Sequence, residues 1–412
     1  MKNIDFSGIN LQTSCFSGLS QYFEASSLED LGKQVRFVER SSSRLDSWMF
    51  LQLNTCLIDN AKEVSLNDMV GILRDNFNVK MTKQSLDERF NSYSVSLMRN
   101  CFEQIFEQIL PTSKPLAEIP SGFKRVILRD ATSFQLPAHL SSFYQGNGGD
   151  TTGSVIKIQQ EYDLLSGKIL RLDLRNGIEN DAEWVNQKGL DVCADDLHLM
   201  DLGYYKLETL KNIDQQGGYF VSRYKTNTSL FTKNVFGNFE VLDWEDTLSL
   251  VSGDAFEQEV WLGTDKQKFK VRLHLQRIPL QAAEKRLKKH DRKQKNISSK
   301  QRKYQNTALK KELAHFNIFI TNASVERLKA AQIYEFYRLR WQIELLFKIW
   351  KSLFEIDKIG QISIYRFECY LYGKLIAILL GGYIQTLFRD FIEDKIDFEL
   401  SEWKAYKFVK KN

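Results

Sequence analysis

Three features predict an α/β fold built on a mixed sheet. The hydrophobic period changes from helical to two near residue 120, a hairpin signal follows at once, and helices then alternate with strands. At 412 residues, with 43% hydrophobic and 12% aromatic content, the chain is long enough for two or three domains with real cores. Lys plus Arg exceed Asp plus Glu by only five, so whole-chain charge barely argues for a nucleic-acid partner and local clusters must carry that case. The five cysteines (Cys15, Cys56, Cys101, Cys193 and Cys369) are far apart and form no C-x-x-C pair. Their spacing argues against a zinc ribbon or a disulfide framework and suits a reducing cytoplasm. The N-terminus lacks the pattern of a signal peptide, and the most apolar run, Leu375 to Ile384, is too short to span a bilayer. That run reads as a buried core helix, and no membrane association is expected.

Residues 1–118 read as a helical N-terminal domain. SLEDLGKQVRFVER opens with a Ser-x-x-Asp cap, and SLNDMVGILRDNFNVKMTKQSLDERFN reads as two helices around the short turn NVKMT. The pair has helix-turn-helix spacing, which makes a DNA-binding role the expectation here, although short helix pairs occur in any all-helical domain. Pro111, Pro115 and Pro120 crowd into LPTSKPLAEIPSG and mark a boundary.

Residues 119–225 read as the first part of a core domain. RVILRD (125–130) is a short strand, and VIKIQQEYDLL and KILRLDLR alternate around Ser166-Gly167 as a hairpin. A helix from about Asn180, the strand DLHLMD, another helix and the strand YFVSRY follow. Three antiparallel strands and then alternating helices and parallel strands is the order of a ribonuclease-H-like domain. Residues 226–315 interrupt it as an all-β insertion, followed by a basic tract. In FKVRLHLQ, Phe269, Val271, Leu273 and Leu275 alternate with Lys270, Arg272, His274 and Gln276, giving one basic face. In EKRLKKHDRKQKNISSKQRKY, cations including Lys285, Lys288, Lys289, Arg292, Lys300, Arg302 and Lys303 outnumber acids heavily; such runs are often merely solubilising. Residues 316–360 return to the core with the strand NIFITN and a helix beginning near Ala331. Residues 361–412 read as helical and suit dimerisation.

The helix in YRLRWQIELLFKIWK places Tyr337, Arg340, Glu344 and Lys351 within an arc of roughly 60° at about 100° per residue. Its apolar residues centre on another side, so one face is buried and the other presents a carboxylate among cations. A charged stripe of this kind is usually a solvated face laced with i,i+4 pairs. Asp130 and Asp201, however, end two strands that lie side by side in a sheet of this order, and Glu344 is placed to join them. Three carboxylates meeting in one place suit Mg²⁺ or Mn²⁺, two of which, about 4 Å apart, activate an attacking oxygen and stabilise a leaving one. Either aspartate alone is more often a turn residue.

RDATSFQLP, DLGYY followed by GGYFVSRYK, and Y-x-x-R-x-x-x-E-x-x-x-x-x-x-K resemble the three catalytic regions of bacterial insertion-sequence DDE transposases of family four. The resemblance runs from about Arg125 to the end of the stripe helix, and LGKQVRFVERSSSRL is similar to the opening of one subgroup. It implies a ribonuclease-H-like core with Asp130, Asp201 and Glu344 as the catalytic metal-binding triad for two Mg²⁺ or Mn²⁺ ions. It implies a synaptic homodimer that binds inverted-repeat ends, cuts there, and joins the freed 3′-OH to target DNA. Arg340 and Lys351 are placed to hold phosphates flanking the scissile bond, and Tyr337 to donate a hydrogen bond to another. Trp341 is expected either to stack on an extruded base, as the matching position in related enzymes does, or to pack in the core. Arg223 and Lys225, the strand face at Lys270 and Arg272, and the tract with Lys288, Lys289 and Arg292 are expected to follow DNA backbone by charge. His139 and His198 read as structural, His198 because it alternates away from the face of Asp201. No phosphate-binding G-x-x-x-x-G-K-[ST] loop is present. Two other readings stay open: a transposase-derived DNA-binding protein without catalysis, and a stand-alone nuclease with the same core.

Overall fold

Strands rich in β-branched and aliphatic residues build the centre of the molecule. In the computed structural model, which describes residues 19–39, 44–58, 60–108, 122–147, 153–226, 228–295 and 307–395, these strands are β1 (Arg125–Gln135), β2 (Val155–Asp163), β3 (Lys168–Asn176), β4 (Asp196–Met200) and β5 (Tyr219–Arg223). They pair in the order β3-β2-β1-β4-β5. β1 is antiparallel to β2 and parallel to β4, and β4 is parallel to β5. This is the arrangement expected from the order of elements, and it is consistent with a ribonuclease-H-like domain. The hairpin at Ser166-Gly167 forms because Asp163 accepts hydrogen bonds from Leu165 N and from the Ser166 hydroxyl, while Gly167 takes a positive φ of 69°.

β1 is longer than expected, running past Asp130 to Gln135. Beyond Leu128, its last residue paired with β4, it pairs with β2 alone. Asp130 therefore lies within a strand and does not end one.

The stretch 226–315 differs from the expected all-β insertion. Its strands β6 (Ser229–Lys233), β7 (Phe239–Val241), β8 (Ala255–Gly263) and β9 (Lys268–Arg277) extend the same sheet through β10 (Phe316–Thr321), in the order β5-β10-β9-β8-β6-β7. All six residues of β10 are buried, so the strand needs a neighbour on each edge and cover on both faces. Helices Trp244–Ser249 and Leu280–Lys295 also lie in this stretch. The later part of the basic tract, with Lys300, Arg302 and Lys303, falls outside the described residues, as do the three clustered prolines.

Helices cover both faces. On one, Val126, Leu128, Leu197, Leu199 and Val221 pack with Ile333, Phe336, Ile343, Phe347 and Trp350 of the helices Ala330–Leu339 and Trp341–Ser352. On the other, Met200, Phe220 and Leu273 pack with Trp184, Leu210 and Ile213.

The described residues between 19 and 108 form helices. Ser65 and Asp68 form a reciprocal capping box at the start of Leu66–Phe77, Asn78 ends that helix with a left-handed φ of 54°, and Thr82 caps Lys83–Asp87. The earlier helix begins at Ala25, so Ser27 lies inside it and does not cap it. These helices share a core with the long helix Ile364–Lys395, where Leu375, Ile376 and Leu380 are buried. Gly373 is required at that contact, because a Cβ there would stand 2.2 Å from the Asn54 carbonyl oxygen. Cys101, Cys193 and Cys369 are free thiols, and Cys56 is disulfide-bonded, which the wide spacing of the cysteines did not announce. Among the described residues no helix is long and apolar enough to cross a membrane.

Candidate active site

The parallel pairing of β1 with β4 runs from Arg125 opposite Asp196 to Leu128 opposite Leu199. Two residues further along each strand stand Asp130 and Asp201, the latter just past the end of β4. The sheet thus brings two acids 71 residues apart in sequence to neighbouring backbone positions.

The third acid comes from the helical pair packed on that face. The expected single helix is broken at Arg340, where the backbone tightens to an Arg340 N–H to Tyr337 carbonyl bond of 3.2 Å. Tyr337 therefore ends one helix, while Glu344 and Lys351 belong to the first and last turns of the next.

All four residues turn toward the strand ends. Arg340 donates to Asp130 Oδ2 at 3.1 Å and to Glu344 Oε1 at 2.7 Å. Tyr337 donates its hydroxyl to Asp201 Oδ1 at 3.3 Å, and Lys351 Nζ donates to the Ser133 carbonyl at 2.8 Å.

The acids also act on one another electrostatically. Burial is the main reason that the Asp130 carboxyl is pushed up to about 6. The Ala131 N–H and Arg340 oppose that rise, and Asp201 and Glu344 add to it. Burial, then Asp201, pushes the Tyr337 phenol up to about 12, which keeps it a donor. Burial works against the Arg340 charge, but Tyr337, Asp201, Asp130 and Glu344 together raise its pKa. Its buried Nε has no partner. Burial lowers the Lys351 ammonium.

Three carboxylates against one bridging guanidinium leave excess negative charge and hard oxygen donors, which fit a divalent cation. Among the described residues no three His, Cys, Asp or Glu groups are already closed around a common point. Arg340 stands between two of the acids instead.

Residues 121–380 match the family described as Transposase DDE domain. The chain is 34% identical to the transposase for insertion sequence element IS231F of Bacillus thuringiensis subsp. israelensis, over 95% of this chain and 84% of that protein. It is 30% identical to the transposase for insertion sequence element IS1151 of Clostridium perfringens, over 94% of this chain and 84% of that protein.

The chain belongs to the DDE transposase family.

It is therefore an enzyme of DNA transposition, in a family that uses divalent metal ions. Around the transposase's acids, other expected residues divide. Trp341 is 59% exposed, which removes the core alternative for it. Arg223, half-buried at the end of β5, lowers the pKa of Tyr337 by its charge. Lys225 Nζ sits 5.9 Å from the Tyr205 ring centroid. Lys288, Lys289 and Arg292 are exposed on the helix Leu280–Lys295, whereas Arg286 of the same helix donates to the Phe316 carbonyl and Asn317.

The face expected on β9 is not an unpaired basic one. Arg272 is buried, paired with Glu257 at 2.7 Å, and donates to the carbonyls of Ala323 and Leu328. Lys270 pairs with Glu259 at 2.6 Å. β8 supplies both acids, and the strand pairing that aligns them could not be read from β9 alone.

The two histidines near the aspartates take part in local contacts. His198 is fully buried with Nδ1 2.8 Å from Arg129, and His139 Nε2 lies 2.8 Å from the Ile362 carbonyl. One residue passed over in the sequence lies at the site: Lys348, one turn after Glu344. It lines an open cavity of about 400 Å³ with Glu344, Phe347, Lys351 and Ser352. Its i,i+4 spacing from Glu344 was the available signal.

The raised pKa of Asp130 has a consequence for stability. The folded carboxyl keeps its proton to about pH 6, whereas an unfolded aspartate releases it near pH 4. The folded state binds more protons in that window, so stability without metal falls as pH rises through it. Asp130→Asn is expected to melt above the parent protein at pH 8 in EDTA, with the gap closing below about pH 4. Coincident melting curves at pH 8 would contradict the assignment.

Proposed function

We propose that this transposase binds the inverted-repeat ends of its insertion sequence, cleaves phosphodiester bonds there, and joins the 3′-OH ends to target DNA. Asp130, Asp201 and Glu344 would hold two Mg²⁺ or Mn²⁺ ions as the catalytic triad. The observation that carries this reading is the link between the acids: one guanidinium bridges Asp130 and Glu344, and the neighbouring Tyr337 holds Asp201. Acids kept only for structure need no such convergence.

When bound, the ions supply an activated attacking oxygen and stabilise the leaving one. The side chains do the rest. Arg340, with a spare buried N–H, passes from Asp130 to a phosphate beside the scissile bond, and Lys351 holds the phosphate on the other side. Tyr337 keeps Asp201 oriented and donates to backbone oxygen. Exposed Trp341 receives an extruded base by stacking. Arg223 and Lys225, with Lys288, Lys289 and Arg292, follow the backbone by charge.

The helical pair around NVKMT supports a DNA-binding role for residues 1–118. Arg44, Lys80 and Arg89 line an open cavity of about 590 Å³ with Thr82 and Ser85 and no acid, a lining that suits phosphate. In this reading residues 119–225 and 316–360 form the catalytic core, 226–315 carry the basic helix, and 361–412 contribute to a homodimer that pairs two ends in the cytoplasm.

A gel assay with labelled end DNA and a target plasmid tests the reaction. Wild type is expected to cut and join, and Asp130→Asn, Asp201→Asn and Glu344→Gln to bind ends yet lose cleavage by about a hundred- to a thousandfold, the scale of an essential electrostatic group. Normal cleavage by these variants with Mg²⁺ would remove the mechanism, and cutting without joining would leave a nuclease. A second measurement addresses the basic helix. Replacing Lys288, Lys289 and Arg292 together with Ala should reduce the slope of log affinity against log salt by about 2 to 3, near 0.9 per lost phosphate contact. An unchanged slope would make them surface decoration.

A further inference from the structure

Gln160 stands directly opposite Asp130 in the antiparallel pairing of β1 with β2. Cross-strand partners project from the same face, with Cβ atoms about 5 Å apart. Gln160 is fully buried, and neither Nε2 nor Oε1 of its carboxamide has a hydrogen-bond partner. An orphaned polar group in a core costs about 1–3 kcal/mol, and folded proteins hold few of them without a reason.

The preceding residue shows what this strand does with an amide that has a settled role. Gln159, on the other face, donates to Asp181 and accepts from the Tyr204 hydroxyl.

Asp130 has two partners, Ala131 N–H on Oδ1 and Arg340 on Oδ2. In the function proposed above, Arg340 also binds a phosphate beside the scissile bond. Once it turns to phosphate, Oδ2 loses that donor, and the amide directly across the ladder has a free N–H to replace it.

We propose that Gln160 is a positioning residue for Asp130: its carboxamide N–H takes the carboxylate when Arg340 passes to DNA, and keeps it turned toward the divalent ion. The proposal rests on Asp130 being an ion ligand. The orphaned amide is the mark of a site completed only in the working complex. Groups of this kind, which orient a ligand without touching the metal, typically change metal affinity by 10- to 100-fold.

The test uses the full chain bound to a duplex carrying its element's end, with Mn²⁺ as the probe and loss of the free-ion EPR signal as the readout. Gln160→Met keeps the side chain's length without the amide, and Gln160→Leu serves if the first variant folds poorly. The variant is expected to melt in EDTA at or above the parent temperature, because two orphaned atoms are gone, and to bind Mn²⁺ about tenfold more weakly in the DNA complex. Unchanged Mn²⁺ affinity, with or without a drop in melting temperature, makes Gln160 a packing residue and overturns the proposal. Asp130→Asn in parallel separates the two levels. If it too leaves Mn²⁺ affinity unchanged, the ligand assignment itself is wrong; if it abolishes binding while Gln160→Met does not, only the present inference fails.

Discussion

The Arg340 guanidinium, shared between Asp130 and Glu344, is the contact on which the rest of the site depends. Two like charges about 4 Å apart repel by roughly 4 kcal/mol in the effective dielectric near a protein surface. Carboxylates from a strand and a helix therefore need a cation between them to remain together without metal. Arg340 supplies it at 3.1 and 2.7 Å, from a residue 210 positions beyond Asp130. The same contact makes the site a poised one. A buried aspartate whose pKa is pushed up to about 6 is held short of full compensation, which is the condition of a group awaiting a stronger cation. Gln160, its amide unsatisfied on the adjacent strand, fits the same picture.

The sheet explains how so distant a residue arrives. β10 returns to the edge of β5, and the helical pair that follows it crosses back over the face carrying Val126, Leu128 and Leu199. Burial of Ile343, Phe347 and Trp350 fixes the rotation of the second helix, so that Lys351 meets β1 and Glu344 meets Arg340. The intervening strands are not a detached module. They extend the sheet outward from β10, and their polar side chains lock the return: Arg272 of β9 donates to the carbonyls of Ala323 and Leu328, just before the first helix of the pair.

Much of this was legible in the residues, wherever the signal was local. The helical pair around NVKMT, the Ser166-Gly167 hairpin and the period-two strands each specify their own geometry, whereas the cap expected at Ser27 did not form and the capping box at Ser65 and Asp68 was not read. The adjacency of β1 and β4 followed from element order, and with it the meeting of Asp130 and Asp201. What could not be read depended on partners elsewhere in the chain. A basic face on β9 is an inference about one strand, whereas Glu257 and Glu259 on β8 decide whether it is free. The break at Arg340 carries no Gly or Pro to announce it. The fate of Trp341, apolar in type yet exposed, turns on its place at the start of the second helix, outside the packed stripe.

The most direct measurement is anomalous scattering from Mn²⁺ in crystals of the chain bound to its end DNA. Mn²⁺ is expected to be ligated by oxygens of Asp130, Asp201 and Glu344, with the Arg340 guanidinium moved onto a DNA phosphate. Mn²⁺ bound away from these acids, or Arg340 still bridging Asp130 and Glu344 in a complex competent to cleave, would contradict it.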